Sequence, residues 1–295
     1  MICCVILSGG YSKRFRDNSQ RVDDKALYKI DDKPMILHIY EKLLDLCGSS
    51  GEIIISLRSD QLNKYRSTLF IDEKVTFAID LDDGRGPLVG IYSALRHCPY
   101  NDILIVPNDA PFIPTDLLRE LLRRLGEGYH IVSPMLENSY IESLVSALNK
   151  EIVYPILEIL VKKYNRSRMT DLYRGTPNIY LYNTRRHGFD YRYLINVNTE
   201  KDLVNPQKPR VLIEEDISIT REFSITDIHL GSLEKLRKSI WYTLFTKSIC
   251  EEYLYYIRKK IYYLALQILR ENNILSDKDR ETEIFLEELF WERTN

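Results

Sequence analysis

Three kinds of feature are scarce in this 295-residue chain, and each absence excludes a class of protein. Positive charge is not in excess, because 41 Lys and Arg face 43 Asp and Glu for a net charge of -2. Dedicated nucleic-acid-binding proteins carry a basic excess, so we expect no nucleic-acid partner. No apolar run approaches the roughly 20 residues that cross a bilayer, and residues 1–7 lack the basic leader of a signal peptide. We therefore expect no membrane association.

Cysteine and histidine are also sparse, at five residues each. The cysteines (Cys3, Cys4, Cys47, Cys98 and Cys250) are odd in number and contain no CxxC pair. That pattern argues against a disulfide framework and against a zinc site, and it is typical of a protein from a reducing compartment. The sequence thus predicts a cytoplasmic protein without structural disulfides.

What is present is the composition of an ordinary globular protein, with 44% hydrophobic and 28% charged residues. Short apolar runs alternate with amphipathic segments over residues 1–204. The predicted strands cover 2–7, 53–57, 75–79 and 103–106, and the predicted helices cover 34–46, 61–70, 87–97 and 114–125. Continuous apolar strands separated by helices indicate a mostly parallel sheet covered on both faces. The predicted fold class is a doubly wound, Rossmann-like α/β domain, in which ligands bind at the carboxyl ends of the strands.

The remainder of the chain has a different pattern. A turn-rich stretch with two prolines opens a predicted linker over 205–230, and a helical extension follows over 231–295. Five apolar residues spaced by three and four predict one face of a long helix, namely Leu254, Ile257, Ile261, Leu264 and Ile268. A second amphipathic segment covers 281–291. This tail is predicted to pack as a helical hairpin on its own α/β domain; self-association and docking of a partner protein are the alternatives.

The first candidate for chemistry is the segment that directly follows the first predicted strand. Two glycines, Gly9 and Gly10, come after Leu7 and Ser8, and the basic residues Lys13 and Arg14 come next. Glycines permit a tight turn, and successive exposed N–H groups in such a turn form an anion cradle. Neither a Walker A loop nor a dinucleotide fingerprint is present. The alternative is a plain strand-to-helix turn with basic residues on its surface.

Two further clusters also follow predicted strands or precede a helix. Lys25 lies in Asp-Lys-Ala-Leu at 24–27, where its ammonium can reach an anion held by the first loop. Asp80 ends the third strand and can accept hydrogen bonds from a base or a ribose. Gly86 and Pro87 then open a helix whose first amides and positive dipole end face the same edge of the sheet. A solvated lysine and an acidic turn are the simpler alternatives.

The fourth and fifth clusters supply oxygen ligands. Asp109 ends a buried strand between two prolines, and Mg²⁺ prefers one or two carboxylates together with phosphate oxygens and water. Asn196 and Asn198 precede another predicted helix. Asn198 is either a second, neutral metal ligand or a substrate contact, and the simpler alternative is a turn that caps the helix. The sequence therefore predicts Asp109 as a metal ligand and the two asparagines as substrate contacts.

Together these segments resemble the molybdenum cofactor guanylyltransferases of the nucleotidyltransferase superfamily. The motifs that carry the resemblance occur in the same order over about residues 1–204, at 7–15, 24–27, 86–91, 108–112 and 196–203. The chain departs from the family in three places. Residues 16–23 lengthen a loop, Ser56 stands near a position where relatives often carry an asparagine that touches the nucleotide, and 141–144 lacks an expected proline.

The resemblance implies a GTP bound by Leu7, Ser8, Gly9, Gly10, Lys25 and Asp80, with Mg²⁺ on Asp109. It implies that molybdopterin enters near Asn196 and Asn198. The acceptor phosphate is ionised at neutral pH, so no general base is needed, and Arg14, Lys25 and Asp109 act by positioning and charge neutralisation. One alternative is a related transferase using CTP or another nucleotide on the molybdenum cofactor or a sugar phosphate. The other is a non-catalytic nucleotide-binding scaffold.

Overall fold

A computed structural model describes residues 1–10, 24–48, 50–69, 75–81, 86–198, 202, 206–221, 249–271 and 290. Several predictions fall elsewhere on the chain. The role of Arg14, most of the predicted 281–291 helix and the end of the predicted linker lie outside the described residues.

A single large sheet forms the centre of the described structure, and a short hairpin stands apart from it. The sheet strands are β1 (Ile2–Leu7), β4 (Glu52–Leu57), β5 (Val75–Ile79), β6 (Asp102–Pro107), β7 (Ile131–Met135), β8 (Ser146–Asn149), β9 (Asn178–Asn183) and β10 (Ile217–Thr220). The hairpin consists of β2 (Lys29–Ile30) and β3 (Lys33–Pro34). The described helices are α1 (Met35–Cys47), α2 (Leu62–Thr68), α3 (Pro87–His97), α4 (Thr115–Leu125), α5 (Lys150–Glu158), α6 (Met169–Gly175), α7 (Ile249–Arg258) and α8 (Tyr262–Glu271).

The strand order is β10-β9-β7-β8-β6-β1-β4-β5. β6, β1, β4 and β5 run parallel, and so do β7 and β9. β8 runs antiparallel to both of its neighbours, and β10 adds an antiparallel edge. The predicted mostly parallel α/β fold is confirmed. Among the described residues, no helix is both long enough and apolar enough to cross a membrane.

The strands are apolar throughout because both faces of the sheet are covered. Along β1, Cys3 and Val5 point to one face and Cys4 and Ile6 to the other, as the twofold period of a strand requires. Helices α3, α5 and α6 cover the first face, and α1 and α4 cover the second. The burial of both faces explains why a hydrophobic run, and not an alternating pattern, marked each strand.

The same alternation overturns the prediction about cysteines. The structure joins Cys3 to Cys98, which follows α3, and Cys4 to Cys47, which ends α1. The Cα–Cα separations are 6.0 and 6.9 Å. Adjacent residues of a strand face opposite layers, so each cysteine meets the end of a different helix. The absence of a CxxC pair does not exclude disulfides between residues 43 and 95 positions apart.

The C-terminal region departs from its prediction in two ways. Residues 217–220, inside the predicted linker, form β10 and are paired with β9. The predicted long helix is wrong, because the chain breaks at Lys260, whose φ is 59°, into α7 and α8. Ile261, Leu264 and Ile268 join the core beside the sheet, whereas Leu254 is 45% exposed. The described tail helices therefore pack on their own α/β domain.

Candidate active site

The carboxyl ends of β1, β4, β5 and β6 meet at one edge of the sheet, because these four strands run parallel. A cavity of about 320 Å³ opens there. Its lining includes Leu7, Gly9, Gly10, Asp80, Pro87 and Asp109. Every one of these residues belongs to a segment that the sequence singled out. The motifs therefore converge on one cavity, as the topology of a doubly wound sheet requires.

Lys25 joins two of the predicted site residues. Its ammonium lies 2.6 Å from Asp109 Oδ2 and 2.7 Å from Asn198 Oδ1, and the lysine side chain is 8% exposed. The N–H of Val197 donates to the carbonyl of Asp109 at 2.8 Å, which fastens the Asn196–Asn198 segment beside the end of β6. A carboxylate and an amide oxygen thus point at the same positive charge.

A buried polar network holds Lys25 in this position. Asp24 caps the short 3₁₀ turn Lys25–Leu27 by accepting from the N–H of Ala26 at 3.1 Å. Its other oxygen accepts from Gln61 Nε2 at 2.6 Å, and the hydroxyl of Tyr65 contacts both Asp24 and Ser8. Burial and the charge of Asp24 raise the pKa of Tyr65, so this hydroxyl stays protonated. Sequence reasoning missed Gln61 and Tyr65, because neither belongs to a motif.

The loop after β1 is held by a residue that sequence reasoning also missed. Arg58 Nη1 donates to the carbonyls of Gly9 and Gly10 at 2.9 and 2.7 Å. A Cβ on Gly9 would lie 2.1 Å from Asp80 Oδ2, so only glycine permits this approach. Ser8 accepts from Asn108 Nδ2 at 2.6 Å, and the loop is thereby tied to the end of β6.

Asp80 is oriented toward the same loop. The hydroxyl of Ser56 donates to Asp80 Oδ1 at 2.6 Å. Burial raises the pKa of Asp80, while the Ser56 hydrogen bond and the charge of Arg58 act in the opposite direction. Ser56 stands near the position where relatives often carry an asparagine, and in this chain it orients the carboxylate of Asp80.

The start of α3 fits its prediction only in part. The helix begins at Pro87 as predicted, and Gly86 has a φ of 98° that favours glycine. However, Pro87 has no N–H, and the N–H of Leu88 donates to the carbonyl of Ser167 at 3.1 Å. The expectation that the first amides of this helix face a ligand is therefore wrong for Leu88.

The side chain of Asn196 contacts an acidic residue, Glu142, that was not among the predicted site residues. Its Nδ2 donates to Glu142 Oε2 at 2.6 Å. Glu142 is 3% exposed, and burial, followed by the charge of Asp109, raises its pKa to about 8. A charged residue in the apolar run 141–145 was the one feature of the sequence that marked it.

Lys25 occupies the position that the oxygen atoms of Asp109 and Asn198 share, so a divalent cation would bind Asp109 from its cavity side. Asp109 and Asn198 present a carboxylate and an amide oxygen to one position that already holds a positive charge. Oxygen ligands of this kind suit Mg²⁺. Within the described part of the chain, no group of three or more His, Cys, Asp or Glu side chains could hold a metal. Protein ligands alone would therefore not complete the coordination of a metal on Asp109.

Comparisons with known proteins identify a family and several relatives of this chain. A family model described as the MobA-like NTP transferase domain matches residues 4–176. The chain is 30% identical over 151 residues to a probable molybdenum cofactor guanylyltransferase of Thermococcus sibiricus, a match that covers 50% of this chain and 69% of the relative. A protein of the same description from Flavobacterium johnsoniae is 30% identical over 198 residues, which cover 67% of this chain and 92% of that one.

Among solved structures, the bifunctional IspDF of Campylobacter jejuni has a TM-score of 0.52 with this chain. The match covers 71% of this chain and 56% of that one, at 12% sequence identity. A likeness at this level of identity shows a shared fold.

Proposed function

Because this chain belongs to the MobA-like NTP transferase family, we propose that it transfers GMP from GTP to molybdopterin and releases pyrophosphate. The observation that carries the proposal is the position of the Lys25 ammonium between Asp109 and Asn198, at the cavity that the Gly9–Gly10 loop and Asp80 line. The names of the two relatives supply the substrates of the proposal. The predicted cytoplasmic location and a protein partner for the tail stay predictions.

The proposed reaction needs no side chain that takes up a proton. An oxygen of the acceptor phosphate forms a bond to the α-phosphorus of the nucleotide. The bond from that phosphorus to the bridging oxygen of the β-phosphate breaks, and pyrophosphate leaves with the electron pair. The difficulty is the approach of two anions, so the protein contributes by positioning them and by offsetting their charge.

In this scheme each residue has a role that its contacts support. Lys25 offsets phosphate charge from a buried position, and the Gly9–Gly10 loop allows the nucleotide to approach the backbone. Asp80 accepts hydrogen bonds from the base or the ribose. Leu7 lines the cavity beside this loop, and the hydrogen bonds of Ser8 hold the loop in place. Asn196 and Asn198 contact the acceptor. Arg14 is proposed to add positive charge, although it lies outside the described residues.

The proposed cofactor is Mg²⁺, held by Asp109. When bound, it would supply positive charge that offsets the charge of the phosphate oxygens. Because Asp109 is a single carboxylate, phosphate oxygens and water would complete the coordination of the metal.

The direct test is nucleotide binding by calorimetry with the full chain, using GTP, CTP, ATP and UTP, each with Mg²⁺ and with a chelator. We expect GTP to bind most tightly and to bind less tightly in the chelator. Pyrophosphate release in the presence of molybdopterin then reports turnover. A preference for CTP would retain the chemistry and change the product. Failure to bind any nucleotide would contradict the proposal and favour a non-catalytic scaffold.

A further inference from the structure

A short segment separates the active site from the C-terminal helices. We name residues 136–145, which connect β7 to β8, the acceptor-side loop. Hydrogen bonds within it fix a compact turn: the N–H of Leu136 donates to the carbonyl of Tyr140, and the N–H of Ser139 donates to that of Leu136. Ser139 has a φ of 66°, which a non-glycine residue rarely adopts. The turn therefore depends on support from its surroundings.

On its inner side, the acceptor-side loop places Glu142 against Asn196. The contact between Asn196 Nδ2 and Glu142 Oε2 is 2.6 Å. Asn196 Nδ2 is the donor in this contact, so the amide group turns its NH₂ toward Glu142. Asn196 Oδ1 then points elsewhere; it is buried and has no hydrogen-bond partner among the described residues. A buried acceptor without a donor costs free energy, and an N–H or O–H of a bound ligand would satisfy it.

On its outer side, the same loop is held by the tail. The N–H of Tyr263, in α8, donates to Ser139 Oγ at 3.1 Å. The rings of Tyr140 and Tyr263 meet edge to face with their centroids 4.9 Å apart. Asn138 Nδ2 donates to the carbonyl of Phe290 at 2.7 Å. Three consecutive residues of the loop therefore contact residues of the tail.

The tail is itself anchored to the α/β domain through buried charges. Both oxygens of Glu252, in α7, lie 2.7 Å from the guanidinium of Arg174, in α6. Arg221 Nη2 lies 3.1 Å from the hydroxyl of Tyr256 and its Nη1 donates to the carbonyls of Tyr173 and Thr176. Arg221, Glu252, Tyr256 and Tyr263 all lie beyond residue 176, where the family match ends.

We propose that Glu142 is a positioning residue that turns the Asn196 carbonyl oxygen toward N–H or O–H donors of the acceptor substrate, and that α8 holds Glu142 in place through Tyr263. The tail is then part of the acceptor side of the active site. The statement about the acceptor rests on the proposed function, whereas the statement that α8 holds the loop does not.

The role of Glu142 is tested by steady-state kinetics in Glu142→Leu and Glu142→Gln. Gln keeps an oxygen that can accept from Asn196, but Leu does not. Loss of one such hydrogen bond should raise the KM for the acceptor roughly tenfold or more in Glu142→Leu, with the KM for GTP unchanged. Glu142→Gln should restore the acceptor KM to near the wild-type value. In an Asn196→Ala background, Glu142→Leu should have no further effect on it.

Three results would overturn the proposed positioning role of Glu142. Equal changes in the KM for GTP and for the acceptor would assign the effect to the charge beside Asp109. A Gln variant whose KM for the acceptor is as high as that of the Leu variant would also assign the effect to charge. An effect that persists in full in the Asn196→Ala background would show that Glu142 does not act through Asn196.

The role of α8 is tested by hydrogen exchange of peptides covering 136–145, a measurement that needs no turnover. Tyr263→Ala removes an aromatic pair and should speed exchange roughly three- to tenfold. Tyr263→Phe keeps the ring and should exchange like the wild type. Tyr262→Ala is the matched control, because this neighbouring tyrosine has no described contact with the loop. Unchanged exchange in Tyr263→Ala, or equal acceleration in Tyr262→Ala, would overturn the coupling.

The two measurements also separate this inference from the proposed function. If the wild-type protein binds no nucleotide and transfers none, the proposed function fails, and the exchange experiment still decides whether α8 holds the loop. If transfer occurs and the loop exchanges equally in all variants, the proposed function stands and α8 has no part in it.

Discussion

At the residue scale, the proposed chemistry depends on the ion pair between Asp109 and Lys25. The lysine is nearly inaccessible, and the side chain of Asp109 is 22% exposed. The carboxylate can therefore be reached from the cavity while Lys25 stays buried beneath it. A carboxylate at the cavity repels an anion, so under the proposed function a bound Mg²⁺ would be needed between Asp109 and the phosphate oxygens.

Replacing Asp109 with Ala should abolish turnover and leave the fold intact, since the side chain borders the cavity. Circular dichroism should show the wild-type spectrum with a lower melting temperature, because the buried Lys25 loses its charged partner. Pyrophosphate release should fall by at least about 100-fold. Asp116→Ala is the control, because Asp116 is an exposed aspartate on α4. Substantial Mg²⁺-dependent activity in Asp109→Ala would refute the role of this residue.

Glu142 makes the stability of the metal-free protein depend on pH. Its pKa is raised in the folded state to about 8, from an ordinary value near 4.5. The folded state therefore binds the proton more tightly, and the associated stability is complete below about pH 4.5 and is lost as the pH rises toward 8. This amounts to a few kcal/mol, at about 1.4 kcal/mol per pKa unit.

The measurement is thermal unfolding between pH 5 and 8 for the wild type and Glu142→Gln, which carries no titrating group at this position. We expect the stability difference, wild type minus variant, to fall as the pH rises. A difference that is constant across this range would show that Glu142 titrates normally.

At the element scale, the loop after β1 lies against the end of β5, where Gly9 approaches Asp80. The contact is possible because residue 9 lacks a Cβ, and Arg58 fixes the loop by binding its carbonyls. Ser56, from β4, fixes the carboxylate on the other side. Residues at the ends of three adjacent strands thus line one side of the cavity, where we propose that the nucleotide binds.

Gly9→Ala should weaken nucleotide binding, because the added methyl group displaces Asp80. Forced repacking of this size costs roughly 1–3 kcal/mol. Gly126→Ala is the control, since this glycine at the end of α4 has a helical φ of -62° and does not line the cavity. Calorimetry with GTP should show a clear loss of affinity for the first variant and little change for the second. Equal affinities would contradict the contact as described.

The contact between α6 and α7 depends on a buried ion pair. Arg174 and Glu252 have side chains that are 3% and 0% exposed. Glu252→Ala leaves a buried guanidinium without this partner and should destabilise the protein by about 3 kcal/mol. Glu120→Ala, which removes an exposed partner of Arg123, should cost under about 1 kcal/mol.

Urea unfolding measures both changes. The double variant Arg174→Met with Glu252→Leu should recover most of the lost stability, because no buried charge is left without a partner. A double variant as unstable as Glu252→Ala would show that the pair is not the reason for the loss.

At the scale of the whole molecule, the tail and the α/β domain share one hydrophobic core. Tyr256, Ile261, Leu264, Ala265 and Ile268 are buried in the same cluster as residues of β1 and α3. The apolar stripe of the tail, for which self-association was one alternative, is thus largely buried in the chain's own core. Leu254 is the exposed member of that stripe.

Removing residues 231–295 should therefore lower the melting temperature sharply and increase the binding of a hydrophobic dye, because the buried face of the tail helices leaves apolar surface behind. Each large side chain that loses its burial costs roughly 1.5–3 kcal/mol. Thermal unfolding and dye fluorescence, with light scattering to detect aggregation, compare the two proteins. An unchanged melting temperature would show that the tail is a separate unit.

The sequence by itself determined the fold class and most of the segments that line the cavity. Strand β5 and helix α3 were predicted at the bounds that the structure has, because apolar runs and a helix opened by proline are local features. The positions of Asp80 and Asp109 at one edge followed from the parallel topology. Helix α8 could not be separated from α7, since the apolar spacing continues across the break at Lys260.

Only the tertiary structure decided which distant residues complete the site. Arg58, Gln61, Tyr65 and Glu142 act through contacts across 37 to 57 positions of the chain, which no local pattern encodes. The disulfides of Cys3 and Cys4 and the contact of Tyr263 with the acceptor-side loop arise in the same way. Local periodicity follows from the backbone geometry of single elements, whereas these contacts depend on how the elements pack together.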